Sequence, residues 1–247
     1  MLENEVNTDS KVLYFVGCAA DFIDPEIGRA TVRVLERNGI EPCFPEQECC
    51  GISELFYGNI KAFRKRAEFN LRSLAAGNAD VVTACSTCAL TLKQEYPRWI
   101  GTEEAEGVSR RTYDIMEYLL LLEGRGALDT AFRPGSLSLL YHAPCHLKAL
   151  GRRLIHGRLA LMRRIPGVSV EEIDRGCCGM GGTFGLKRTN YARSLEIGRP
   201  LFEAILALRP DRVVTDCLGC RLQIEEGTGL RVTHPILVME EAYLQYF

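Results

Sequence analysis

Short apolar runs alternate with amphipathic segments along this chain. An apolar run without polar interruptions is typical of a parallel strand that is covered on both faces, and apolar residues three and four positions apart are typical of a helix with one buried side. The predicted strands are 11–17, 40–44, 79–83, Leu137–His142, Val168–Ile173 and 212–215, and the clearest helices are 60–76, 115–122 and Tyr191–Leu208. Strands that alternate with helices predict an α/β fold with mostly parallel sheets.

Local signals bound several other segments. The sequence DPE at 24–26 combines an N-cap residue, a first-turn proline and an acidic side chain that the helix dipole favours, and NG at 38–39 is a typical helix end. We predict a further helix that starts near Ala89 and place 159–165 in a helix of the second half. The stretch 97–111, which lacks a clear period, is predicted to be a loop.

The order of elements occurs twice, at an offset of 127 to 132 residues. The sequence VVTACSTC at 81–88 matches VVTDCLGC at 213–220, and the halves are joined by EGRGALDTAFRPGS at 123–136, where Gly and Pro are densest. We therefore predict two duplicated α/β lobes, 11–122 and 137–247, each with a mostly parallel sheet and related by a pseudo-two-fold axis.

Ten of the eleven cysteines form two sets with nearly the same spacing. In each set a single cysteine is followed about thirty residues later by Cys-Cys-Gly, and then by a C-x-x-C pair. The first set is Cys18, Cys49, Cys50, Cys85 and Cys88, and the second is Cys145, Cys177, Cys178, Cys217 and Cys220. Cys43 stands outside the pattern and is predicted to be a small core residue.

The positions of these cysteines suit metal binding. Four of them follow predicted strands, and ligands collect beyond the carboxyl ends of strands in open α/β sheets. A C-x-x-C pair at a helix start lies near the positive end of the helix dipole, which favours thiolates. Because tetrahedral zinc takes four ligands and a thiol redox motif needs two, five cysteines per set favour a polynuclear iron–sulfur cluster. Structural zinc in one half and buried thiols without a ligand remain as alternatives.

Composition limits the class of protein. The net charge is -2, with 30 basic and 32 acidic residues, so no bulk field favours nucleic acid. The N-terminus has no signal-peptide pattern, and the apolar run 118–122 is far shorter than the roughly 20 residues that a membrane-spanning helix requires. We expect a soluble cytoplasmic protein with reduced, metal-bound cysteines that reaches a membrane only through a partner.

The doubled C-x(30)-CCG-x(33)-C-x-x-C and C-x(31)-CCG-x(37)-C-x-x-C arrangement resembles the cysteine-rich CCG domain family. Its members include the B subunit of heterodisulfide reductase and the C subunit of anaerobic glycerol-3-phosphate dehydrogenase. The latter is similar to this chain in the segments that surround the cysteines, which are YHAPCH, CCGMGGTFG and VVTDCLGCRLQIE. The resemblance implies that each set holds a 4Fe–4S cluster of noncubane type, with all five cysteines of the set as ligands. The ferredoxin-like module of that family member is absent from this sequence, so we expect electrons to come from a separate protein or directly from a reducing partner.

The resemblance also implies a function. We expect an electron-transfer subunit that carries electrons between a flavoprotein dehydrogenase and a quinone or other acceptor. Expected partners are a flavoprotein dehydrogenase or heterodisulfide reductase A- or C-like subunits, a ferredoxin-like carrier and a membrane-bound quinone-reactive protein. A catalytic disulfide reductase of the heterodisulfide type and a zinc-stabilised scaffold are the alternatives. We assign no catalytic residue.

Three histidines and a glycine run need separate interpretation. His142 and His146 flank Cys145 and can either donate to a cluster sulfur or be satisfied at the end of a strand. His234 precedes a proline and is predicted to cap a turn. The run GMGGTFG at 179–185 fits neither G-x-G-x-x-G nor a P-loop, and we predict that it wraps the second cluster.

Overall fold

The computed structural model describes residues 11–244, and this part of the chain divides into two compact units between Leu128 and Asp129. We call residues 11–128 the first lobe and 129–244 the second lobe. Each lobe contains one four-stranded sheet whose strands are all parallel. The predicted α/β class with two duplicated lobes is therefore confirmed, while residues 245–247 of the predicted second lobe lie outside the described range.

The first sheet has the strand order β2-β1-β3-β4. Its strands are β1 (Lys11–Tyr14), β2 (Glu41–Cys43), β3 (Asp80–Thr83) and β4 (Thr112–Asp114). All four residues of β3 are buried, as expected for a central parallel strand. The strand β4 is missing from the sequence prediction, because three residues are too short to show a period.

The second sheet repeats this topology with the order β6-β5-β7-β8. Its strands are β5 (Leu137–His142), β6 (Val168–Ile173), β7 (Arg212–Val214) and β8 (Val232–Thr233). The central pair has the same register in both lobes, since Tyr14 is opposite Val82 and Tyr141 is opposite Val214. Position 14 of the first lobe thus corresponds to position 141 of the second.

Helices connect the strands in both lobes. The first lobe contains α1 (Pro25–Arg37), α2 (Ile52–Phe56), α3 (Ile60–Leu74), α4 (Ser86–Leu90), α5 (Tyr96–Ile100), α6 (Glu103–Arg110) and α7 (Ile115–Gly124), with π-helical segments at Ala19–Ile23 and Thr91–Glu95. The second contains α8 (Cys145–Leu150), α9 (Arg152–Met162), α10 (Tyr191–Leu208), α11 (Leu218–Thr228) and α12 (Pro235–Leu244). None of these helices combines the length and the apolar character that crossing a membrane demands.

Three predictions about helices need correction. The segment 97–111 is helical for most of its length, because Thr102 accepts a hydrogen bond from the Ala105 amide and caps α6. The helix expected near Ala89 already begins at Ser86, so its first turn includes Cys88. The helix assigned to 159–165 ends at Met162.

Candidate metal centres

The carboxyl ends of adjacent strands bring the single cysteines close to the C-x-x-C pairs. In the first lobe, Cys18 follows β1 and Cys85 follows β3, and these two strands are neighbours in the sheet. In the second lobe, Cys145 follows β5 and Cys217 follows β7, which are neighbours as well. Parallel strands end at the same edge, so each pair of cysteines shares one edge.

All five cysteines of the first set lie together. The Cys18 and Cys49 sulfurs are 3.8 Å apart. Cys50 hydrogen bonds to both Cys49 and Cys88, and Cys88 also bonds to Cys85. Cys50 and Cys88 are buried, whereas Cys18 is exposed. The sulfurs therefore form a continuous group that extends from the core to the surface.

The second set is gathered in the same way. The Cys178 and Cys220 sulfurs are 3.3 Å apart and both side chains are buried. Cys177 hydrogen bonds to Cys178, Cys217 bonds to Cys220, and Cys145 lies close to the Cys217 and Cys178 sulfurs. The ten cysteines that the spacing selected are thus grouped as two fives, while Cys43 lies in β2 outside both groups.

Crowding prevents the thiols of one set from ionising together. Hydrogen bonds from Cys18 and then Cys50 lower the pKa of Cys49 to about 2, and the same contact raises the pKa of Cys18. Hydrogen bonds from Cys177 and then Cys220 lower the pKa of the Cys178 thiol. Protonated neighbours thus stabilise the thiolates of Cys49 and Cys178, and a hydrogen bond from Cys88 also lowers the pKa of Cys85 to about 7. Several thiolates this close require a cation, so the donor chemistry of both sets fits a metal centre.

Glycine is required in both Cys-Cys-Gly turns. Gly51 has φ +86°, and a Cβ there would lie 3.0 Å from the Phe63 ring. Gly179 has φ +92°, and a Cβ there would overlap the carbonyl oxygen of Ser194 on α10. The Gly179 amide also donates to the Cys177 sulfur over 3.3 Å. A side chain at Gly179 would both strain the backbone and push the turn away from α10.

A buried asparagine holds the first Cys-Cys-Gly turn in place. Asn70 of α3 accepts a hydrogen bond from the Glu48 amide over 2.7 Å and donates to the Cys49 carbonyl over 3.3 Å. It also donates to the Tyr96 hydroxyl, which in turn donates to the Cys50 carbonyl over 3.2 Å. Asn70 and Tyr96 are fully buried. Sequence reasoning missed both; the only signal for Asn70 is a polar residue on the apolar side of α3.

The glycine run 179–185 lies against the second set. Met180 is within 3.1 Å of a Cβ placed on Gly219, which stands between the two cysteines of the second C-x-x-C pair. The Gly185 amide donates to the Met180 carbonyl and closes the run into a tight turn. This location agrees with a role in enclosing the candidate metal centre.

The histidines have different environments. His234 accepts a hydrogen bond at Nδ1 from the Ile236 amide over 3.1 Å, which confirms the predicted capping role at the start of α12. A ring nitrogen of His142 lies within 4.8 Å of the Cys178 and Cys220 sulfurs. His142 is therefore at the second set, and of its two possible roles this position favours the donor to a cluster sulfur over the satisfied strand-end residue, since Nδ1 has no hydrogen-bond partner in residues 11–244.

Comparison with known proteins gives the family of this chain. The family model described as a cysteine-rich domain, CCG, matches residues 12–93 and 139–225. Each match contains one complete cysteine set.

Curated relatives are similar to this chain over most of its length. It is 34% identical to the C subunit of the anaerobic glycerol-3-phosphate dehydrogenase of Escherichia coli, covering 94% of this chain and 59% of that protein. It is 32% identical to the B subunit of the fumarate reductase (CoM/CoB) of Methanothermobacter marburgensis, covering 96% and 47%.

The chain thus spans roughly half the length of these two relatives. A third relative has a comparable length. Lactate utilization protein A of Geobacillus thermodenitrificans is 34% identical, and the match covers 94% of this chain and 97% of that protein. The family model matches this chain twice, and the similarity to the third relative covers nearly its whole length. The chain therefore belongs to the CCG cysteine-rich domain family.

Proposed function

We propose that this chain is an iron–sulfur electron-transfer subunit of an oxidoreductase complex. The observation that carries the proposal is the grouping of ten cysteines into two sets of five at the strand ends of two equivalent sheets. In this proposal Cys18, Cys49, Cys50, Cys85 and Cys88 hold one cluster, and Cys145, Cys177, Cys178, Cys217 and Cys220 hold the other.

The number and chemistry of the donors support a cluster with several irons. Thiolate sulfur is the ligand that iron–sulfur clusters use, and a single tetrahedral zinc would leave one cysteine of each set without a role. We propose a 4Fe–4S cluster of noncubane type in each set. A bound cluster supplies one-electron transfer, and its potential depends on burial and on hydrogen bonds to its sulfurs.

The polypeptide contributes to this chemistry through shape and hydrogen bonding. Asn70 and Tyr96 fix the carbonyls of the first Cys-Cys-Gly turn, and α10 fixes the second. Cys50, Cys88, Cys178 and Cys220 are buried, which keeps one side of each set away from water. Such rigid surroundings limit reorganisation when the charge of a cluster changes.

We propose that the electrons pass between a flavoprotein dehydrogenase and a quinone or other acceptor, with a ferredoxin-like carrier as an alternative donor. The names of the relatives, which describe parts of a dehydrogenase and a reductase and a lactate utilization protein, support an oxidoreductase complex. The proposed location is the cytoplasm, at the membrane only through a quinone-reactive partner.

Metal analysis of anaerobically purified protein tests this proposal. Two four-iron clusters require about eight irons and as many acid-labile sulfides per chain. Cys178→Ala should lose the iron and the EPR signal of the second set only, whereas Cys43→Ala, outside both sets, should keep both. Stoichiometric zinc with iron near zero would instead establish the scaffold alternative.

A second candidate function is disulfide reduction at one of the sets. The observation that favours it is the exposure of Cys18, Cys145 and Cys177, which leaves one side of each set open to a sulfur-containing substrate. Similarity to a protein whose name includes fumarate reductase (CoM/CoB) is compatible with it. Reduced protein that cleaves a heterodisulfide to two thiols without a partner, with the two electrons drawn from its reduced clusters, would select this function. Electron delivery to a quinone analogue without disulfide cleavage would select the first.

A further inference from the structure

The two cysteine sets differ at one position that lies against the sulfurs. Tyr14 and Tyr141 occupy equivalent register positions, so the next residues, Phe15 and His142, are equivalent too. Both side chains are buried, with exposed fractions of 0% and 2%. The first lobe therefore places an apolar ring where the second places an imidazole.

The imidazole contacts the innermost sulfurs of the second set. A ring nitrogen of His142 and the sulfurs of Cys178 and Cys220 all lie within 4.8 Å of one another, and the two sulfurs are 3.3 Å apart. Hydrogen bonds from Cys177 and then Cys220 have the larger effects on the pKa of Cys178, and a hydrogen bond from His142 lowers it further. Phe15 has no N–H group with which to make such a bond.

The protein around His142 satisfies only part of its imidazole ring. Its Nδ1 atom is buried and lacks a hydrogen-bond partner among residues 11–244. Burying a polar group without a partner is costly, and phenylalanine fills the same position in the first lobe without that cost. An imidazole here is explained if it interacts with the group that the second set holds.

We propose that His142 donates a hydrogen bond to the sulfur ligands of the second cluster, and that the first cluster has no equivalent donor. The inference rests on the proposed function, because it requires a cluster in the second set. Hydrogen bonds to cluster sulfurs stabilise the more negative, reduced form. His142 therefore raises the reduction potential of the second cluster.

Comparing the two wild-type clusters does not isolate this effect, since the lobes differ at other positions as well. The test uses the full chain, purified anaerobically, with His142→Phe as the variant that copies the first lobe. His142→Gln keeps an N–H donor, and Phe15→Leu is the matched control at the equivalent position. The EPR signals are assigned with Cys50→Ala and Cys178→Ala, each of which should retain one cluster.

Potentiometric titration followed by EPR gives the deciding result. His142→Phe should lower the equilibrium constant for reduction of the second cluster about tenfold, which is about 59 mV for one electron. The first cluster should not change. His142→Gln should stay within about threefold of the wild type, and Phe15→Leu should leave the second cluster unchanged. A second-cluster potential in His142→Phe equal to that of the wild type would overturn the proposal.

A measurement on the wild type covers the case in which His142→Phe does not retain its cluster. With ¹⁵N-histidine labelling, pulsed EPR should detect a nitrogen coupling and an exchangeable proton at the second cluster only, and His142→Gln should lose the histidine coupling. Absence of that coupling from an intact second cluster would refute the role of His142. Absence of iron from both sets would instead refute the proposed function.

Discussion

The Arg158 guanidinium lies 3.4 Å from the Asp216 carboxylate, and both side chains are fully buried in the second lobe. The Tyr141 hydroxyl donates to the same carboxylate, and Arg158 approaches that hydroxyl at 3.5 Å. Asp216 directly precedes Cys217, so the network fixes the start of the second C-x-x-C pair. The first lobe has no such charges, because Thr31 and Ala84 occupy the corresponding positions.

Removal of one charge from this network should destabilise the second lobe strongly. Asp216→Ala leaves the Arg158 charge buried without its partner, and we expect a loss of about 3–5 kcal/mol in unfolding free energy. Arg158→Thr combined with Asp216→Ala copies the first lobe and should recover much of that loss. Native-state hydrogen exchange of the β5 amides measures both values. Equal losses in the single and double variants would contradict the charge argument.

Gly176 and Gly179 both have a positive φ, but only Gly179 packs closely against α10. Gly176 has φ +90°, and a Cβ added to it would meet nothing within 4 Å, whereas a Cβ on Gly179 would overlap the Ser194 carbonyl. Gly176→Ala should therefore cost about 1 kcal/mol from backbone strain and keep the second cluster. Gly179→Ala should lose it.

Iron per chain and the EPR signal of the second set measure this difference. The first set serves as an internal standard, since both substitutions lie in the second lobe. Retention of both clusters in Gly179→Ala would show that the turn can move away from α10 without losing its ligands.

Loss of the Asn70 side chain should reduce iron binding by the first cysteine set more than it disturbs the rest of the first lobe. Asn70→Ala leaves the Glu48 amide without its partner and the Cys49 carbonyl without its donor, with an expected cost of about 2–3 kcal/mol. We expect partial loss of iron from the first set. Asn59→Ala, which removes the cap of α3, should cost about 1 kcal/mol and leave the iron content unchanged. Similar iron contents in both variants would indicate that Asn70 is only a structural residue.

Asp80 makes the stability of the first lobe depend on pH. Burial raises its pKa to about 6, and Arg111 and Arg125 offset only part of this effect. Because the folded state then holds the proton more tightly than the unfolded chain, stability falls as pH rises from about 4 to about 6. Asp80→Asn should remove this dependence and stabilise the lobe by about 1–3 kcal/mol at pH 7.

Urea unfolding at several pH values tests this expectation. The single tryptophan, Trp99, lies in the first lobe and reports on it by fluorescence. The quantity to compare is the difference in unfolding free energy between Asp80→Asn and the wild type, because the contributions of the thiols cancel in this difference. A difference that does not vary with pH would mean that Asp80 is not the group responsible.

Periodicity and spacing alone predict much of this molecule. The bounds of β5, β6 and α10 match the predicted segments because each is a long, regular pattern with clear ends. The approach of each single cysteine to its C-x-x-C pair follows from parallel strands that end at one edge. The exchange of Phe15 for His142 is also visible in the repeat once the two halves are aligned.

Other features depend on contacts that a local pattern does not reveal. The helix α6 resembles a loop in sequence because its apolar side is short, and it is stabilised by the Thr102 cap and three glutamates in the first turn. Asn70 bonds to residues more than twenty positions away, and Arg158 meets Asp216 only after the second sheet has formed. Buried polar partners of this kind are set by tertiary structure.

The fit of Gly179 against Ser194 also has a consequence for biogenesis. The second Cys-Cys-Gly turn takes its final form only when α10 has packed against it, and Cys220 enters the group only when α11 has formed. A chain that is still emerging from the ribosome lacks these supports until most of the second lobe has been synthesised. We therefore expect cluster insertion to be a late, post-translational event that acts on a folded lobe and completes its maturation.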